Sequence, residues 1–103
     1  MYKKIEPVGI EDRVKGLALI LKDITDEDPL DMHRDSLKPT LRYMIAEFMH
    51  REGYSFMDIA AEMNLDHATL VTGTRKLRFT LENDQLWGDQ VRIIWKRFCH
   101  KVC

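Results

Sequence analysis

The side chains with chemistry to offer gather in one stretch of the chain. Asp66 and His67 are adjacent, Ala68, Thr69 and Thr72 follow, and Arg75 and Lys76 close the run. An Asp beside a His suggests a proton relay, but helical neighbours diverge by about 100°, so this pair cannot form one alone. A second cluster, Cys99, His100 and Cys103, ends the chain. Three ligands fall short of a structural zinc site, and two cysteines one helical turn apart make a poor disulfide. His33 and His50 add no metal-ligand spacing. There is no glycine-rich phosphate loop, no pair of carboxylates in an apolar setting and no His-x-x-x-His. The reading is a chain with no catalytic residue, no metal site, no cofactor and no small-molecule substrate.

The elements that must position the first cluster are helical. Ile10, Val14, Leu17, Ala18 and Leu21 recur at the three-and-four spacing of one buried face, which predicts a helix over about 10–22. The stretch 23–35 is acidic, contains Pro29 and reads as a loop. Ser36 or Thr40 can cap a central helix over about 39–52 with Pro39 in its first turn, ending near Gly53. Ser55, with Asp58 three residues on, predicts a short helix with Phe56, Ile59, Ala60 and Met63 inward. Met44, Met49, Met57 and Met63 read as core filler. After a break at Asn64 and Leu65, Asp66 can cap a helix carrying Leu70, Gly73, Leu77 and Leu81 inward. The two short helices span about 55–78 with the proportions of a helix-turn-helix. A last helix over about 84–101 buries Leu86, Val91, Ile94, Trp95 and Phe98. No period-two pattern appears. The expected fold is all-α, about five helices in an orthogonal bundle, as one domain.

On a helical wheel, Leu70, Gly73, Thr74 and Leu77 share one side of the fourth helix. Ala68, Thr69, Thr72, Arg75 and Lys76 fall on the other, which carries no acid. Gly73 on the packed side would let a neighbour approach closely, a reason for its cost of about 1 kcal/mol in helix propensity. Arg75, Lys76 and Arg78 also suit the negative end of a helix dipole, whatever they bind.

Composition sets the outer limits. The 103 residues are 45% hydrophobic and 32% charged, fitting a folded globular chain. No apolar run approaches the roughly 18 residues of a membrane span, and the first residues lack the pattern of a secretory signal. With only two cysteines, a reducing cytoplasm is the expected location. The net charge of −1 argues against a wholly basic nucleic-acid binder. From His67 onward, however, seven cations face three carboxylates, a local excess that can build a basic face.

The run from Phe56 to Lys76 resembles the C-terminal DNA-binding domain of DnaA, the bacterial chromosomal replication initiator, a helix-turn-helix of the Trp-repressor-like kind. Asp66, His67, Thr69 and Lys76 match that family's signature "Arg-Asp-His-Thr-Thr-Val-Leu-His-Ala-x-x-Lys", with Arg75 a common neighbour. Weaker similarity extends over the first and central helices, from about Ile10 to about Phe98. Departures are Leu65 for the Arg, Ala68 for the first Thr, and Thr72 and Gly73 for the His-Ala pair. The family's basic loop corresponds to residues 30–36, where Arg34 is the cation present. The family's ATPase module has no counterpart.

The resemblance implies reading of a short duplex box in the major groove. Asp66, His67, Ala68, Thr69 and Thr72 would face base edges. Arg34, Lys38, Arg42, Arg75 and Lys76 would contact phosphates. The expected partner is double-stranded DNA, in a small replication-associated or transcriptional regulator of bacterial or phage type, with the C-terminal helix as a surface for a homodimer. The alternative is a protein-interaction module that keeps the helix-turn-helix scaffold without DNA affinity, which the acidic segment 6–31 and the depleted basic loop favour.

Overall fold

The computed structural model describes residues 9–31, 38–83 and 88–102. Within them the protein is all-α: α1 Ile10–Thr25, α2 Lys38–Glu52, α3 Phe56–Glu62, α4 His67–Asn83 and α5 Gly88–Val102. Helix α2 lies at the centre, against α1, α3 and α4, and α5 closes the assembly across α1 and α4. Its position shows in its burial: Leu41, Met44, Ile45, Ala46 and Met49 are all fully inaccessible, on more than one side of the helix.

Helix α1 buries all five residues of its predicted stripe. Glu11 and Asp12 stand at the positive end of its dipole. It runs three residues further than its spacing predicts, because Ile24 continues the packed face and Thr25 Oγ1 donates to the Leu21 carbonyl at 2.8 Å. Asp26, at φ 63°, ends it by donating its backbone N–H to the Lys22 carbonyl. Beyond it Pro29 is fully buried, and Asp28 Oδ1 accepts from the Leu30 N–H at 3.0 Å.

Helix α2 begins at Lys38, so Thr40 lies inside it and does not cap it, while Pro39 occupies its first turn. Ser36, the other cap expected there, lies outside the described residues. The helix ends in a Schellman turn: Tyr54 N–H bonds Met49 O and Gly53 N–H bonds His50 O, both at 3.1 Å. Gly53 sits at φ 117°, where any side chain would be strained.

Helix α3 starts as predicted, with Ser55 Oγ accepting from the Asp58 N–H at 3.1 Å. It ends in a second Schellman turn around Asn64 at φ 55°, with Leu65 N–H on Ala60 O at 2.8 Å and Asn64 N–H on Ala61 O at 3.3 Å. This turn sets the angle at which the chain enters α4. Met57 departs from its expected place in the core and is 66% exposed. Its phase puts it off the stripe formed by Phe56, Ile59, Ala60 and Met63.

Helix α4 continues to Asn83, five residues past the predicted end of the helix-turn-helix. A tertiary contact supports the extension, since Arg92 of α5 donates Nη1 to the carbonyls of Thr80 (3.3 Å) and Leu81 (3.1 Å). Helix α5 is described from Gly88, and residues 84–87, where its predicted start falls, lie outside the described residues together with Leu86 and Trp87. Val91, Ile94 and Phe98 are buried, whereas Trp95, Phe48, Phe56 and Leu81 are half-buried at the margin of the core. The Phe98 ring meets Phe48 at 5.3 Å and Trp95 at 6.0 Å, tilted as aromatic pairs prefer.

Charged pairs tie the helices together at their edges. Arg13 of α1 pairs with Glu52 of α2, and Lys101 of α5 with Asp23 of α1. Among the described residues, Glu47 of α2 is the buried carboxylate, 3% exposed. It accepts from Arg51 Nε at 2.8 Å and lies 3.6 Å from Arg78 Nε of α4, while Arg51 also stacks over Trp95 at 5.2 Å.

Candidate nucleic-acid interface

The outer face of α4 is open. Asp66, His67, Ala68, Thr69, Thr72, Arg75 and Lys76 are all exposed, while Leu70, Gly73, Thr74 and Leu77 are buried on the opposite side. Buried Thr74 satisfies its hydroxyl by donating to Val71 O at 3.0 Å. The five residues expected at base edges are therefore all accessible, with Ala68, Thr69 and Thr72 on one side of α4 and Asp66 and His67 at its N-terminal end.

Asp66 already has a structural duty there. Its backbone carbonyl accepts from the Leu70 N–H at 3.0 Å, and its Oδ2 accepts from the Thr69 N–H at 3.2 Å. This is N-cap geometry. The Thr69 hydroxyl points to the same oxygen at 3.5 Å. Oδ1 is the atom left for an external donor, so a cap and a contact can coexist on one carboxylate.

Arg75 and Lys76 take on a different meaning once the length of α4 is known. The dipole acts within the last turn of a helix. With α4 ending at Asn83, both cations sit mid-helix and no basic residue occupies that turn. The dipole therefore does not account for them. Between His67 and Leu81 the helix carries no acid. Arg78 points elsewhere, toward Glu47.

The cations expected on phosphates from the start of α2 are engaged within the chain. Lys38 is 9% exposed and pairs with Asp31 Oδ2 at 3.2 Å. Arg42 donates Nη1 to the carbonyls of Pro29 at 3.0 Å and Asp31 at 3.3 Å. Both hold the segment after α1 against α2, which removes them from the exposed cationic set suggested by the sequence. Arg34 lies outside the described residues.

Two residues of this surface were not selected from the sequence. Tyr43, on α2, forms a groove with Ala68, Thr69, Thr72, Gly73 and Lys76. A Cβ on Gly73 would lie 2.3 Å from Tyr43 Cε1 and Cζ. The close neighbour that a mid-helix glycine implied is thus an aromatic ring from α2, 30 residues earlier. Phe79, 64% exposed, stands one turn beyond Arg75 on the same face. Its spacing from Ala68, Thr72 and Arg75 was a signal available in the sequence.

Elsewhere, Cys99 is half-buried and His100 is exposed, while Cys103 lies outside the described residues. Among the described residues no three His, Cys, Asp or Glu side chains converge as a metal site requires. No described helix is long and apolar enough to cross a membrane. Comparison with protein-family models, curated proteins and solved structures gives no match to this chain.

Proposed function

We propose that this chain binds duplex DNA sequence-specifically, laying the outer face of α4 in the major groove as a small regulator of replication or transcription. One observation carries the reading: Asp66, His67, Ala68, Thr69, Thr72, Arg75 and Lys76 are all exposed, and the last five share one side of α4 that bears no acid and carries two cations the helix dipole does not explain. Asp66 Oδ1, His67 and the Thr69 and Thr72 hydroxyls supply acceptors and donors for base edges, and the Ala68 and threonine methyls suit a thymine methyl. Arg75 and Lys76 supply phosphate contacts that position the helix without reading sequence. A chain of this kind acts without catalysis, metal or cofactor. With two exposed cations engaged, the logarithm of affinity should fall with the logarithm of salt with a slope of about −2.

The second reading, a protein-interaction module on the same scaffold, draws on the internal engagement of Lys38 and Arg42 and on exposed Phe79. Selection from a random duplex library with purified protein separates the two. Enrichment of a short motif supports DNA reading, and recovery of unenriched sequence at every salt concentration supports the interaction module.

A further inference from the structure

We infer that Tyr43 is a phosphate ligand of the same interface, its hydroxyl and the Lys76 ammonium clasping the DNA backbone along one side of α4; this rests on the duplex-binding reading above. The ring is held in place by a missing side chain. Gly73 brings the α4 backbone so close to Cε1, Cζ and Cδ1 of Tyr43 that a Cβ there would overlap all three, at 2.3, 2.3 and 2.6 Å. Cζ carries the hydroxyl, so the polar end of the side chain is fixed beside the groove. Thr69, Thr72 and Lys76 line the rest of it, at four before, one before and three after Gly73, the side of α4 next to the ring. Tyr43 is half-buried, and no hydrogen bond within the described residues engages its hydroxyl.

A donor on a ring that is already immobilised gives up little rotamer freedom on binding. Phenol O–H groups are among the donors that contact DNA phosphates. The groove offers hydroxyl donors and one ammonium and no carboxylate, which suits a phosphodiester. Lys38 and Arg42 are engaged with the segment after α1, so from α2 Tyr43 is the group that reaches this groove.

Tyr43→Phe keeps the ring against Gly73 and removes only the hydroxyl. Because tyrosine is neutral, its phosphate contact releases no counterion, whereas that of Lys76 releases about one. Fluorescence anisotropy with a panel of duplexes across a salt series is the test, with wild type, Tyr43→Phe and Lys76→Met compared. The expected result is a loss of about five- to tenfold for Tyr43→Phe on every duplex, at unchanged salt slope and unchanged melting temperature. Lys76→Met should flatten the slope by about one. Wild-type affinity in Tyr43→Phe overturns the inference while leaving duplex binding intact, as does a loss confined to particular sequences. A wild-type protein that binds no duplex at low salt overturns both.

Discussion

Replacing Gly73 by alanine probes the contact on which the groove depends. At an ordinary exposed helix position the change stabilises by about 1 kcal/mol, because alanine restricts the unfolded chain and favours the helix. Here the new methyl would sit 2.3 Å from two ring carbons of Tyr43 and 2.6 Å from a third. Carbon atoms rest at about 3.5–4.0 Å, so the overlap exceeds an ångström at two atoms. Either α2 and α4 separate or the ring swings into solvent. Overpacking of this kind costs about 1–3 kcal/mol. Set against the propensity gain, the net expectation is a loss of up to about 2 kcal/mol, or a fall of up to about 15 °C in Tm for a chain of this size. The diagnostic is a cycle with Tyr43→Ala, measured by thermal and urea unfolding. Once the ring is gone the methyl has room, so Gly73→Ala should be neutral or stabilising in the Tyr43→Ala background. A coupling of about 1–2 kcal/mol or more between the two positions is expected. A Gly73→Ala protein more stable than wild type, or strictly additive effects, would refute the packing argument and the groove built on it.

Four further outcomes follow from the same structure. Asp66→Ser should retain the N-cap and hence the melting temperature while altering base preference, whereas Asp66→Ala should also lose about 1 kcal/mol of stability; unfolding curves and duplex selections on both variants separate cap from contact. Thr69→Ala should relax base choice at a cost of about 1–3 kcal/mol in binding to the preferred duplex, read by anisotropy. Glu47→Met should leave Tm unchanged or raised, since its partners Arg51 and Arg78 are each about half exposed and can hydrate once released; a fall of several degrees would show that the buried carboxylate stabilises the α2–α4 contact. The Lys101 ammonium, chiefly by hydrogen bonding and then by charge, holds the Asp23 carboxyl below its ordinary value. Its contribution to stability is therefore present above the unfolded value near 3.8 and disappears as pH falls through the lower folded one. A carboxyl NMR titration should find Asp23 depressed in wild type and returned toward normal in Lys101→Met.

What could be read from the sequence was local. The stripe of α1 follows from spacing alone, and the Ser55 and Asp66 caps lie three residues from the N–H groups they accept. The exposed residues of α4 follow from phase. What escaped depended on partners distant in the chain. Gly73 announced a close neighbour without saying that it was Tyr43. Lys38 and Arg42 were visible as cations, but their acceptors on Asp31 and Pro29 come together only when the segment after α1 folds back on α2. The contact of Arg92, from another helix, with the carbonyls of Thr80 and Leu81 also had no local signal. Met57 shows the opposite failure, since residue type suggested the core where helical phase alone would have placed it outside.

The contact itself is best tested by titrating isotopically labelled protein with a short duplex at low salt and following each backbone amide by NMR. The account predicts shifts concentrated at residues 66–76 and at Tyr43, weakening as salt is added, with the α1–α5 side unaffected. Shifts centred on α1 and α5, or none at any duplex concentration, would contradict it.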